Sequence, residues 1–289
     1  MARKVNYLNN RDLLLEIHRS KTTYCEFKNN DDANYDNIVD NKADCFSADQ
    51  IQQAKENKAA KQTRALVESY EGPLLKKSEI KRQVEILPKD LLSEDLVFRV
   101  MTFEHIPLAP GRKKTPKREA DYHARLNFKP FKHYKFTDST CTDLKEVGKS
   151  HCKDDEYSLT HGEMTNKLAK MLIMLVNRYS QKSNWRGYTY LDEMRGNALL
   201  QLSGMGLQFD EAKSDNPFAY LTASISNAFT RVLNTEKRNQ NIRDDLLVEA
   251  GKNPSFTRQI EHEEKIRRMR EDTLAEWNES ANKSSRTPK

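Results

Sequence analysis

Asp215-Asn216-Pro217-Phe218-Ala219-Tyr220-Leu221 opens the stretch on which the reading of this chain turns. Asn216 has a side-chain oxygen suited to capping a helix. Pro217 suits the first helical position, where its missing N–H is not needed. Apolar residues follow at Phe218, Leu221, Ile225, Ala228, Phe229, Val232 and Leu233, one stripe along a helical cylinder. The stripe gives out where Arg231, Lys237, Arg238 and Arg243 gather against a single Glu236 before Asp244. One helix thus has a core face and a basic, Asn-rich end. On pattern alone, a core helix with a solvated tail competes evenly with a functional surface.

Upstream, Leu191, Met194, Ala198, Leu199 and Leu202 make a second stripe. Gly204 and Gly206 are expected to end that helix in a left-handed cap. Leu168, Met171, Leu172, Leu175, Val176 and Tyr179 make a third stripe. Short Gly, Pro and Asn turns join the three, which predicts a small all-α unit. Trp185 and Tyr188, in the loop Asn184–Thr189, are expected to seal it.

The ordered set Gly187-Tyr188-Thr189, Glu193-Met194, Phe209-Asp210-Glu211, Asn216-Pro217, Ala219-Tyr220, Asn227-Ala228-Phe229 and Lys237-Arg238 resembles the late-transcription sigma factor of T-even-type tailed phages. Asn6-Tyr7-Leu8-Asn9-Asn10 with Leu13-Leu14 is similar to that family's start. More distantly, Leu191–Arg231 resembles the core-binding and promoter-melting segment (region 2) of primary bacterial sigma factors. Ile225-Ser226-Asn227-Ala228-Phe229-Thr230-Arg231 stands where those factors have Ile-Arg-Gln-Ala-Ile-Thr-Arg. The likeness covers the N-terminal stretch and residues 160–245.

The resemblance implies two surfaces. Asp192, Glu193, Asn197 and Gln201 would dock on the clamp helices of the large subunit of host core RNA polymerase, around an apolar centre. Two registers stay open here: one pairs Glu193-Met194, the other Gly196-Asn197. Tyr220, Asn227, Arg231, Lys237, Arg238 and Arg243 would face promoter DNA. Tyr220 stands where primary factors carry a stacking tyrosine. Their tryptophan pair falls at Ala223 and Ser224, so that wedge is missing. A stacked ring offsets the cost of unstacking a base, and cations neutralise phosphates. A sliding clamp or co-activator is a further partner that the family implies. The family's C-terminal clamp motif has no match in Ala281–Lys289; Leu274 and Trp277 are the nearest candidates.

Composition sets the frame. Of 289 residues, 36% are hydrophobic and 32% charged, and the mean hydropathy is −0.89. That is lean for a compact enzyme, so linkers or a partner-dependent surface are expected. A net charge of +6 permits a polyanionic partner. No run of about 18 apolar residues suggests a membrane span. Met1-Ala2-Arg3-Lys4 leads into polar residues, so the expected location is the host cytoplasm, with the nucleoid.

Elsewhere the signals are weaker. Residues 6–24 read as a helix capped at Asn9 or Asn10. Residues 29–46 read as an irregular linker. Ser47-Ala48-Asp49-Gln50 is a capping-box pattern before an exposed, Ala/Lys/Gln-rich helix that stops at Gly72-Pro73. Ser78–Leu87 is helix-like. Leu91–Val100 resumes it, or else Val97–Phe103 is a strand. Gly111–Arg118 is a basic loop. Phe128-Lys129-Pro130-Phe131-Lys132-His133-Tyr134-Lys135-Phe136 interleaves rings and cations, the chemistry of single-stranded nucleic-acid sites. Alternation favours a plainer reading, an edge strand with its aromatic face buried. Residues 138–161 read as a polar linker. Its Cys141, His151, Cys152 and His161 lack the two-to-four-residue spacing of paired zinc ligands, so no metal is expected. Cys25, Cys45, Cys141 and Cys152 are expected to be free thiols.

The expected fold is mainly α. It divides into 1–28, an N-terminal helix; 29–77, a linker and exposed helix; 78–137, an inserted α+β or irregular unit; 138–160, a linker; 161–250, the helical domain; and 251–289, a C-terminal amphipathic helix and tail. The expected function is a phage sigma-like initiation factor directing host polymerase to late promoters with an A/T-rich upstream-ten-type element. No phosphate loop, nucleophile elbow or zinc pairing is present, so no catalytic site and no cofactor are expected. The rival is a basic nucleic-acid-binding module built on residues 97–136, without polymerase recruitment.

Overall fold

The computed structural model describes residues 8–70, 72 and 77–284. The motif residues Asn6 and Tyr7, the expected stop at Pro73 and the end of the C-terminal tail, residues 285–289, lie outside these. The described part is mostly helical with a small sheet. It divides into two compact units, Met1–Ser226 and Asn227–Lys289.

In the first unit, helix α1 (Asn10–Thr22) is capped by Asn9, whose side chain accepts from the Asp12 N–H at 2.7 Å. It packs on α4 (Asn166–Ser180), itself capped by Thr165. Buried Glu16 ties the two, accepting from Lys167 at 2.9 Å. Helix α5 (Leu191–Met205) lies against α4. Leu13, Ile17, Leu168, Met194, Leu202, Leu221 and Ile225 are all buried. Most of the apolar stripes read from sequence are therefore the bundle core, whereas Phe218 of the α6 stripe is exposed and Leu191 and Leu199 of the α5 stripe are half-buried. One boundary differs. Gly206 has a right-handed φ of −59°, and α5 tightens into a 3₁₀ turn over Gly206–Gln208 instead of ending in a left-handed cap.

The sheet corrects the expected division of the chain. Strands β1 (Cys25–Phe27), β2 (Asn37–Val39), β3 (Val97–Met101), β4 (Phe131–Phe136) and β5 (Leu144–Ser150) form one sheet in the order β1-β5-β4-β3-β2. Residues expected to be an N-terminal helix, two linkers and an insertion thus build a single element. The expected linker 138–160 supplies β5 and a tight hairpin, Cys152–Lys153 with Glu156–Tyr157. Asp154 and Asp155 turn that hairpin at positive φ (54° and 61°), which Asp tolerates better than most residues. Gly148 in β5 is required, because a Cβ there would collide with the Phe27 ring.

Alternation along β3 assigns the two faces of the sheet. Phe98 and Val100 join Val39, Tyr134, Phe136 and Leu144 in an apolar cluster completed by Ala54 of helix α2 (Ala48–Glu68). Arg99 points to the opposite face. Helix α2, expected to be an exposed arm, is therefore a cover for the sheet. A short helix α3 (Lys77–Gln83) follows it.

Helix α6 (Pro217–Glu249) begins in the first unit and continues through the second. Asn216 caps it as expected, accepting from the Ala219 N–H at 3.0 Å, and Asn10 of α1 accepts from Phe218 at 3.1 Å. In the second unit, α6 and helix α7 (Phe256–Ser284) meet at a turn. Buried Asp244 accepts from the Ser255 N–H (2.8 Å) and hydroxyl (2.7 Å), and Arg258 reaches Asp245 at 2.5 Å.

Candidate polymerase and nucleic-acid surfaces

A buried charge cluster joins the sheet to the bundle inside the first unit. Arg99 is 2% exposed. Its guanidinium donates to Glu211 at 3.0 Å and to His133 Nε2 at 3.0 Å, and its second terminal nitrogen lies 3.1 Å from His18 Nδ1. The rings of Tyr35 and Phe131 sandwich it, each centroid 3.9 Å away. Lys21 donates to Glu211 at 2.8 Å and to the Phe209 carbonyl at 2.7 Å; Tyr35 donates to Glu211 at 2.6 Å.

Burial disfavours the Glu211 charge, but Arg99 and Lys21 outweigh it and hold the carboxyl well below the ordinary range. Burial, then Arg99, lowers His18 to about 3 and holds His133 well below its usual value. Both imidazoles are therefore neutral. Phe209 and Glu211 belong to the motif read from sequence, and Lys21 to the N-terminal helix. The Phe209-Asp210-Glu211 segment is thus the clasp between bundle and sheet.

Helix α5 has the exposed face expected of it. Asp192, Glu193, Gly196, Asn197, Ser203 and Gly204 are exposed, and in the middle of their arc stands Leu200, 74% exposed. At about 100° per residue, these positions fill well under half of the helix circumference. Asp192 pairs with Arg195 at 2.8 Å, and the Asn197 side chain donates to the Glu193 carbonyl at 3.2 Å. Gln201 sits at the edge of the arc, half-buried, its amide against Met205 Sδ. Leu200 was not among the expected site residues. Its helical position, seven after Glu193 and three after Asn197, was the signal that marks it.

The expected DNA-facing residues separate. Tyr220 is half-buried; its ring packs on Phe209 at 5.6 Å and its hydroxyl donates to the Met205 carbonyl at 3.3 Å. It closes the joint between α5 and α6 and is not presented for stacking. In the second unit, Asn227, Thr230, Arg231, Asn234, Thr235 and Arg238 line one shallow groove along α6. Asn227, Arg231 and Arg238 are exposed, in a comb at i, i+4 and i+11. Lys237 is exposed on the flank. Arg243 lies about 120–140° around the axis from Arg231 and Arg238, so it leaves the comb.

The aromatic run of the rival reading is lost to the core. Strand β4 is central, not an edge, and Phe128, Phe131, Tyr134 and Phe136 are each under 7% exposed. The four cysteines are unpaired. Among the described residues, no three His, Cys, Asp or Glu are arranged to hold a metal ion. No described helix is long and apolar enough to cross a membrane. Leu274 and Trp277 on α7 are 60% and 68% exposed. No family model, curated protein or solved structure matches the chain.

Proposed function

We propose that this chain is a sigma-like initiation factor that docks on bacterial core RNA polymerase through α5 and positions promoter DNA along α6. The observation that carries the proposal is Leu200, an apolar side chain left in water at the centre of an acidic and amide-bearing face. An isolated exposed leucine is ordinary. One ringed by polar groups and two glycines on a rigid helix suits a small docking surface, with a desolvated centre and a polar rim. In sigma region 2, which this segment resembles, the matching helix carries the polymerase-binding surface, which supports the reading.

The comb of Asn, Thr and Arg on α6 supports the DNA half of the proposal. These side chains donate and accept hydrogen bonds with base edges and phosphates. The factor would act without catalytic chemistry of its own, lending recognition to the polymerase. Opening of the promoter would not use Tyr220 as it now sits. Transcription with bacterial core polymerase, on a template bearing only an A/T-rich upstream-ten element, tests the proposal. Specific transcripts that need this chain are expected. Transcripts that are the same with and without it would refute the reading.

A further inference from the structure

Residues 107–124 form a hairpin that neither surface above explains. Leu108 bridges His123, the Ala109 N–H donates to the Tyr122 carbonyl at 2.9 Å, and the Ala124 N–H donates to the Pro107 carbonyl at 3.0 Å. Its tip, Arg112-Lys113-Lys114-Thr115-Pro116-Lys117-Arg118, holds five cations and no carboxylate. Such a tip repels itself, and a disordered loop would be the ordinary outcome.

Asp121 prevents that. It is 8% exposed and points inward. Its Oδ2 accepts the backbone N–H groups of Lys117 and Arg118, both at 3.2 Å. Its Oδ1 meets Lys113 at 2.5 Å and lies 3.9 Å from Arg112. Arg112 also donates to the Ala120 carbonyl at 3.0 Å. The Asp121 carboxylate is thus spent on shaping the loop; Glu119, the hairpin's other carboxylate, is exposed just after Arg118. Lys114, Lys117 and Arg118 stay exposed, and none of them forms a salt bridge among the described residues, although the Arg118 side chain also closes the capping box with Asp121. Tyr122, next to Asp121, is 52% exposed.

From this geometry we infer that the 107–124 hairpin is a second nucleic-acid contact, in which Lys114, Lys117 and Arg118 bind the phosphate backbone. A fixed loop that keeps three exposed cations out of salt bridges breaks no ion pair of theirs on binding a polyanion. The exposed ring of Tyr122 beside them adds a base-stacking surface where the strand is unpaired. The contact lies outside the segment that resembles sigma factors and is separate from the α6 comb.

The test uses the full chain and fluorescence anisotropy on a 30-base-pair duplex, a 30-nucleotide single strand and vesicles containing phosphatidylserine, over a range of salt. The hairpin variant is Lys114→Gln/Lys117→Gln/Arg118→Gln, which spares the internal Lys113 and Asp121. The α6 variant is Arg231→Ala/Arg238→Ala. The hairpin variant is expected to lower the slope of log affinity against log salt by about 3 on duplex and about 2 on single strand. Tyr122→Ala is expected to lower affinity for the single strand and leave affinity for the duplex unchanged; equal affinity for the single strand would remove the ring from the contact.

Unchanged slope and affinity on both nucleic acids would overturn the inference, as would a loss seen on vesicles alone. The two variants keep this inference and the promoter reading apart. Loss in the hairpin variant alone supports the hairpin and counts against the α6 comb. Loss in the α6 variant alone does the reverse.

Discussion

Arg99 of β3 and Glu211 of the loop before α6 are buried partners 3.0 Å apart, though 112 residues separate them in the chain. Each is less than 5% exposed. Around them, Lys21, Tyr35, His18 and His133 satisfy the remaining lone pairs and protons. A buried pair of this kind costs more to break than it contributes to stability as a whole.

Glu211→Gln would strand two cations, Arg99 and Lys21, in the interior. The expected loss is about 3–5 kcal/mol. Arg99→Met keeps the Lys21–Glu211 pair and a volume-filling side chain between Tyr35 and Phe131, so it should cost less. Urea denaturation of both variants decides it. A loss below about 1 kcal/mol for Glu211→Gln would mean that water reaches the cluster.

Stability should fall with acid well before carboxylates titrate. His18 and His151 are lowered to about 3 and His105 to about 4, each chiefly by burial, and His133 is well below its usual value. The folded state keeps them neutral, whereas unfolded histidine gains a proton near pH 6.5. Their contribution is present above that pH and is lost as pH falls from about 6.5 toward 3, at up to about 1.4 kcal/mol per unit for each histidine. Glu211, held low, adds its own loss only as pH falls below about 4.3. Thermal melting at pH 7, 6, 5 and 4 checks this. A flat profile between pH 7 and 5 would contradict the neutral, buried imidazoles.

Tyr220 should act through packing. Tyr220→Phe loses one hydrogen bond, worth about 0.5–1.5 kcal/mol, and keeps its ring against Phe209. Tyr220→Ala leaves a gap at the α5–α6 joint and should cost about 2–4 kcal/mol. Permanganate footprinting should show that the Phe variant opens promoter DNA like the wild type. Impaired opening by the Phe variant at unchanged stability would restore a direct role for the hydroxyl.

The α6 comb makes a residue-level forecast. Arg231→Ala and Arg238→Ala should each reduce the salt slope of DNA binding by about one. Arg243→Ala should leave it unchanged, because that side chain lies off the comb. An equal effect at all three positions would indicate a diffuse basic tail.

Helices were legible where a 3.6-residue stripe and a cap coincided, as at Asn216-Pro217 with Leu221 and Ile225. The sheet was not. Strands β1 and β2 have three residues each, too few for alternation to emerge. Strand β5, Leu144-Lys145-Glu146-Val147-Gly148-Lys149-Ser150, has only Leu144 and Val147 as large apolar residues, and Val147 is an extra residue opposite the His133/Tyr134 step, so no alternation emerges. The clasp was hidden for another reason. Glu211 stood in the resemblance motif and His133 in the aromatic run, but nothing local in the sequence marks Arg99 or says that the three meet. The face of α5 was half legible. Its polar rim followed from the resemblance, whereas Leu200 was left out of both the core stripe and the expected docking residues, and only its 74% exposure brings it forward.

Docking on polymerase is the central claim, and Leu200→Asp addresses it most directly. Leu200 is 74% exposed, so the change should alter folding stability by less than about 0.5 kcal/mol. Affinity of the wild-type chain and the variant for purified bacterial core polymerase is the measurement. The account predicts tight binding by the wild type and at least a tenfold loss in the variant, about 1.4 kcal/mol or more. Equal binding by both chains, or no binding by the wild type, would contradict it.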